Sequence, residues 1–248
     1  MPWALYHGER SGIKLHVSFT NSTGMPLQVV ETTGLKHDGP IGVELEDKGF
    51  IIVADRAYFS MDKVDRYVTT NQDFVIRLKD NIQLNRKKSL KKAAVEEANI
   101  IADFTCTLGT AQKQTKERHR VVELTDYEGR IVRVVTNLRD VTAEEIAGMY
   151  KERWAIESFF RWIKQNLNVP VLFGTTKNAV FNQLFAALIA YVLLKFLHTE
   201  GHKKNNCKRL SFAGFKRRLL CATLPVEWYI GLKEILTFHQ ELYQVSTG

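Results

Sequence analysis

The sequence predicts an α/β fold whose C-terminal part is helical. Gly12 to Phe19 alternates between apolar and polar residues, and Leu27 to Thr33 is a β-branched run that pairs with it as a hairpin. Phe50 to Ala54 is a solid apolar run, the pattern of a strand buried on both faces. From Thr142 onward the apolar spacing follows a helix instead. With 248 residues, 45% of them hydrophobic and 25% charged, the chain can build a real core as one large domain or two modest ones.

In chain order, Ile13, Leu15, Val17 and Phe19 share one face of the first strand, and Lys14 and His16 lie on the opposite, polar face. A turn at Gly24 to Pro26 leads into the second strand, and a short helix is expected over Ile41 to Asp47. The Phe50 strand ends at Asp55. Ser60 caps a helix running to Thr69, and Asp73 to Leu78 is a further strand. Asp103–Gly109, His119–Thr125 and Ile131–Thr136 read as strands, so residues 80–127 are expected to form a mostly β insertion. Thr142-Ala-Glu-Glu145 is a capping box, and it opens a helix expected to run from 143 to 167. A core helix follows over Thr176 to His198, and Leu224 to Tyr243 reads as a helical tail or interface element.

Charge and cysteine content narrow the class. There are 35 Lys+Arg against 27 Asp+Glu, a net charge of +8, which favours a polyanionic partner. Arg77 to Lys92 and Lys195 to Arg218 are the two basic stretches, the second the better candidate for contacting a polyanion. Cys106, Cys207 and Cys221 lie far apart without a C-x-x-C pair, which excludes a disulfide scaffold and a cysteine zinc ribbon. The opening residues lack the order of a signal peptide. The longest uninterrupted apolar run, Leu184 to Leu194, falls short of the roughly 18–20 residues of a membrane span. A soluble, basic, intracellular protein with no membrane span is expected.

The 143–167 helix concentrates the chemistry. At about 100° per residue with Tyr150 at 0°, Arg153 falls near 300°, Glu157 near 340° and Lys164 near 320°. A phenol, a guanidinium, a carboxylate and an ammonium thus line up beside an apolar stripe of Met149, Ile156, Phe159, Phe160, Ile163 and Leu167. Charge-laced surface helices also carry such faces, and Arg153 with Glu157 suits an ordinary i,i+4 pair. What tilts the reading is that the acid flanks the buried stripe. Asp55 adds weight, because it lies just past the end of a buried strand, a frequent address of catalytic groups.

The spacing Tyr150-(2)-Arg153-(3)-Glu157-(6)-Lys164 resembles the Y-R-E-K signature of DDE transposases of the bacterial insertion-sequence-four type. The run Tyr150-Lys-Glu-Arg-Trp-Ala-Ile-Glu-Ser-Phe-Phe-Arg-Trp-Ile-Lys164 is similar to that family throughout, as are Gly12-Ile-Lys-Leu-His16 and Asp55-Arg-Ala-Tyr58. Val135-Thr-Asn-Leu138 and Asn178-Ala-Val-Phe-Asn-Gln183 fit it too.

This resemblance implies an RNase H-like mixed sheet with flanking helices and a β-rich insertion between the second Asp and the Glu. It implies two Mg²⁺ ions, with Mn²⁺ as a substitute, held by three carboxylates that cut DNA at element ends and join it to a target. By match, Asp55 is the second carboxylate and Glu157 the third, both catalytic and metal-binding. Tyr150, Arg153 and Lys164 are the phosphate-side partners. The expected partners are transposon-end and target DNA, with a homodimer in a synaptic complex.

The first carboxylate, which the family places on a strand before Gly12, has no match. Glu9 lies too close to Gly12, and Asp38 follows the hairpin. An N-terminally shortened copy is therefore expected, divided as 1–79 and 128–200 for the catalytic domain, 80–127 for the insertion and 201–248 for a basic helical region. The expected missing strand would lie between the first strand and the Phe50 strand. The alternatives are a non-catalytic DNA-binding remnant that interferes with intact transposases, and a nuclease on the same fold.

Overall fold

The computed structural model describes residues 1–5, 11–90, 99–167, 169, 171–204 and 209–246. Glu9, Lys91, Lys92, Cys207 and Lys208 lie outside them. The chain divides into a sheet unit, Pro2–Ser18 with Leu27–Glu157, and a helical unit, Phe19–Pro26 with Ser158–Gly248.

In the first third, β1 (Ile13–Thr20) and β2 (Met25–Thr33) pair as a separate two-stranded sheet. Their turn closes at Gly24, whose φ of +68° is the left-handed conformation that glycine adopts without strain. The short helix α1 (Asp38–Glu44) begins earlier than the apolar spacing suggested, at the end of the Gly34–Pro40 loop.

The main sheet has six strands. They run in the order β3 (Ile52–Ala54), β4 (Phe74–Arg77), β8 (Ile131–Thr136), β7 (His119–Thr125), β6 (Ile100–Leu108) and β5 (Leu84–Ser89). β3 and β4 are parallel and every other pair is antiparallel, which makes the sheet mixed, as expected. Side-chain alternation sorts the strands into two cores. Phe74, Ile76, Val121 and Val135 point to one face, where Val64 and Tyr67 of α2 (Met61–Thr69) cover them. Val75, Val122 and Val134 point to the other, covered by Ala143, Ile146 and Tyr150 of α3 (Ala143–Glu152).

Two expectations change here. The Phe50 strand is not buried on both faces. It is a short edge strand with half-buried residues, and Phe50 (46%) and Ile51 (38%) are exposed before it starts. Among the described residues it pairs with one strand, β4, while Ile52 and Ala54 pack against the first core and Val53 against the second. The long helix is also interrupted: α3 ends at Glu152 and α4 spans Trp154–Asn166. Arg153 keeps right-handed dihedrals, but its N–H bonds the Tyr150 carbonyl and its own carbonyl accepts from Ile156. These i→i+3 bonds tighten one turn, so a uniform angle per residue does not carry across Arg153.

In the helical unit, α5 (Lys177–Lys204), α6 (Phe212–Leu220) and α7 (Val226–Ser246) gather around Leu194, Phe215, Leu224, Trp228, Leu232 and Ile235. Leu224, Trp228, Leu232 and Ile235 after residue 220 therefore belong to a core. Helix α5 also corrects the estimate from its apolar run. Lys177–Lys203 is long and apolar enough to cross a membrane by length and composition. Here Val180, Phe181, Leu184, Ala187, Leu188, Tyr191 and Leu194 are buried within the protein. Trp162 is a packing residue, stacked on Phe212 at 4.4 Å.

Candidate active site

The segment that launches α3 is tied down before any site residue appears. At the end of β8, Asn137 Oδ1 accepts the Phe74 N–H at 3.1 Å and its Nδ2 donates to the Gln72 carbonyl at 3.0 Å. Arg120 Nη1, buried in β7, donates to the carbonyls of Leu138 and Val141 at 3.0 and 2.7 Å. Thr142 then caps α3. Its hydroxyl accepts from the Glu145 N–H and the Glu145 carboxylate accepts from the Thr142 N–H, the predicted capping box. Together these bonds fix where α3 leaves the sheet.

Tyr150 lies on the buried side of α3, with 9% of its surface exposed. Arg153 follows at the tightened turn, its guanidinium 5.8 Å from the centre of the Tyr150 ring. Nη1 of Arg153 donates to Glu157 Oε1 at 2.6 Å, the i,i+4 pair that the spacing suggested. Burial works against the Arg153 charge, but the bond to Glu157 and the charges of Tyr150, Glu157 and Asp55 outweigh it. The guanidinium is held more firmly protonated than usual. Its Nε is buried without a hydrogen-bond partner among the described residues, so this arginine has donor capacity to spare. Lys164 is exposed on α4, in the part that belongs to the helical unit.

Asp55 follows β3 directly. Its Oδ1 accepts from the Arg56 N–H at 2.7 Å and caps the 3₁₀ turn Arg56–Tyr58. Arg56 itself reaches away, to Asp80 at 2.9 Å. Asp55 and Glu157 thus act on one guanidinium, Glu157 by direct contact and Asp55 through its charge.

Beside Asp55 lies a group that sequence reasoning placed differently. His16 lies on the polar face of its strand with Lys14, yet it is 3% exposed. Its Nε2 is 2.9 Å from Thr32 Oγ1 and its Nδ1 is 3.3 Å from the Tyr58 hydroxyl. Asp38 pairs with Lys14 at 3.0 Å. Burial, with the charges of Asp38 and Asp55, pushes the Tyr58 phenol up to about 12. The only trace in the sequence was the match of Gly12-to-His16 and Asp55-to-Tyr58 to one family. Alternation alone assigns His16 to the wrong environment.

Oxygen donors suit a hard divalent cation, and Asp55 and Glu157 supply them. Among the described residues, however, no group of three or more His, Cys, Asp or Glu side chains comes together to hold a metal. The donor chemistry fits, and the number of carboxylates does not complete a paired-metal site.

A family model described as the transposase DDE domain matches residues 3–193 of this chain. The chain belongs to the DDE transposase family. The match covers the hairpin, the six-stranded sheet, α3, α4 and most of α5. A Geobacillus stearothermophilus protein named "Probable transposase for insertion sequence element IS5377" is 52% identical over 98% of this chain and 64% of its own length. A Sinorhizobium fredii protein described as the transposase y4zB is 33% identical over 78% of this chain and 55% of its own. A Synechocystis protein described as a transposase of insertion sequence element IS4SA is 28% identical over 75% and 53%. The chain spans between about half and two thirds of the lengths of these relatives. Among solved structures, a piggyBac transposase synaptic complex with hairpin DNA aligns over 93% of this chain and 50% of its own, at 13% identity and a TM-score of 0.49.

Proposed function

We propose that this chain supplies the catalytic face of a DNA transposase, with Asp55 and Glu157 as the carboxylates that hold Mg²⁺ or Mn²⁺ and Tyr150, Arg153 and Lys164 as groups that hold DNA phosphates. The observation that carries it is Arg153, a half-buried guanidinium bonded to Glu157 and held charged by Glu157 and Asp55, with further N–H groups beyond the one that Glu157 takes. A phosphate oxygen can accept from the guanidinium N–H groups that Glu157 does not engage. Tyr150, packed against the sheet, limits how the guanidinium can turn. Lys164, exposed farther along α4, adds a point charge for the DNA backbone. Divalent metal, when bound, would lower the pKa of the attacking hydroxyl and stabilise the leaving oxygen. The proposed partners are element-end and target DNA, with two copies of the protein in a synaptic complex.

That no three acidic or metal-binding side chains come together among the described residues favours a second reading, a chain that binds DNA and does not cut it unaided. One experiment serves both. Binding of a duplex oligonucleotide and nicking of supercoiled plasmid are measured on the same preparation, with and without Mg²⁺. Binding lost in Arg153→Ala and kept in Glu157→Gln supports the phosphate-binding face. Equal binding by Arg153→Ala and the parent protein removes it.

A further inference from the structure

We propose that His198, His202 and the backbone carbonyl of Leu210 form a site for a divalent first-row transition metal of the zinc class, separate from the carboxylate site. The two imidazoles project from one face of α5, four residues apart, the spacing by which a helix presents two histidines to one zinc ion. Nε2 of His198 lies 3.1 Å from Nε2 of His202. Both also approach the Leu210 oxygen, at 2.8 and 3.1 Å.

Hydrogen bonding does not explain this triangle. The carbonyl oxygen only accepts, and each neutral ring nitrogen either donates or accepts. No assignment of protons makes all three edges hydrogen bonds. If both rings donate to the oxygen, two N–H groups are pressed together; if one does, the lone pair of the other faces the oxygen.

A cation resolves the conflict. Zinc binds imidazole nitrogen at about 2.0–2.1 Å in tetrahedral geometry, which sets neighbouring ligands about 3.3 Å apart. The observed edges are slightly shorter than that. Two imidazoles and a carbonyl then make three ligands, with the fourth position open to water. Imidazole suits zinc, nickel and copper, and it discriminates against Mg²⁺.

The rings are also held in place by packing. His202 meets Trp228 edge-on at 5.0 Å, and His198 stacks on Trp228 at 5.9 Å and lies 5.3 Å from Phe215. A preorganised ligand pair loses little freedom on binding. Metal here would tie the end of α5 to Leu210, the residue before Ser211, which caps α6.

The test adds Zn²⁺ alone to the purified full chain, with affinity read by competition against a chromogenic chelator. One equivalent should bind, excess Mg²⁺ should not displace it, and the thermal midpoint should rise. His202→Gln keeps an amide that can donate to Leu210 but is a poor ligand. It should weaken zinc binding at least about tenfold, since even losing an outer-shell partner costs that much. Unchanged affinity in both His198→Gln and His202→Gln, or no zinc binding at all, would overturn the site. If either variant fails to fold, Co²⁺ absorption of the parent chain decides. Ligand-field bands that survive alkylation of the cysteines support the site, and bands lost with the thiols place the metal elsewhere.

Discussion

Arg120 and Asp103 meet in a forked ion pair inside the sheet unit, Nε to Oδ1 at 2.9 Å and Nη2 to Oδ2 at 2.7 Å. Arg120 has no exposed side-chain surface and Asp103 has 9%. The same guanidinium holds the Leu138 and Val141 carbonyls, so one residue joins β6 and β7 to the start of α3. Arg120→Ala should cost about 3–5 kcal/mol, because it leaves a buried carboxylate and two carbonyls without their donor. Denaturant unfolding measures this. Replacing both partners by apolar residues should recover part of the loss, and a single variant as stable as the parent would contradict the role.

Neither residue stood out in the sequence, where a lone Arg in one strand and a lone Asp in another carry no periodic signal. Local patterns were more legible: the Ser60 cap and the Thr142 box both reflect bonds within a few residues of one another. The site was legible through fixed spacing on one stretch of helix, and the Arg153–Glu157 pair formed as that spacing required. What depended on partners distant in sequence was not. The burial of His16 is set by Thr32 and Tyr58, and the edge position of β3 is set by which strands pair, not by how apolar it is.

Stability should fall in mild acid. His119 is fully buried, its Nε2 2.9 Å from Asp65 and its Nδ1 without a partner among the described residues. Burial lowers its pKa below the ordinary 6.5, although Asp65 opposes this. The folded state therefore resists a proton that the unfolded chain accepts. Its contribution is complete above about pH 6.5 and is lost as the pH falls through the folded value, by at most about 1.4 kcal/mol per pH unit. His119→Gln should flatten that slope in denaturant titrations run between neutral and mildly acidic pH.

DNA affinity should fall steeply with salt, and the second basic stretch should carry part of that slope. Arg209 is exposed, whereas Lys203 already pairs with Glu200 at 2.7 Å. In the first stretch, Lys87 lies over the Phe104 ring and near Glu123, on an edge strand where lysines also prevent unwanted pairing. Neutralising Lys203, Lys204, Lys208 and Arg209 together should reduce the slope of log affinity against log salt. An unchanged slope would remove this stretch from the interface.

Glu157→Gln and Asp55→Asn should leave DNA binding intact or slightly tighter, since a carboxylate repels phosphate. Arg153→Ala and Lys164→Ala should weaken it. Arg153→Lys separates charge from geometry. A lysine keeps the positive charge but cannot hold Glu157 with one edge and a phosphate with another. Binding close to that of Arg153→Ala would support the forked arrangement, and full binding would reduce Arg153 to a simple charge.

Residues 1–248 by themselves should show no Mg²⁺- or Mn²⁺-dependent cleavage of supercoiled DNA. A paired-metal centre holds its ions about 3.5–4 Å apart and needs carboxylates that bridge them. Asp55 and Glu157 both act on Arg153, and no third acidic or metal-binding side chain joins them among the described residues. Asp38, the nearest alternative by sequence, is held by Lys14 at 3.0 Å, so recruiting it would cost that ion pair. If cleavage is nonetheless observed, Asp38→Asn separates the explanations. Loss of cutting with DNA binding retained would make Asp38 the third ligand, and unchanged cutting would point to Glu9 instead. Absence of cutting together with salt-sensitive binding would favour the DNA-binding reading of this chain.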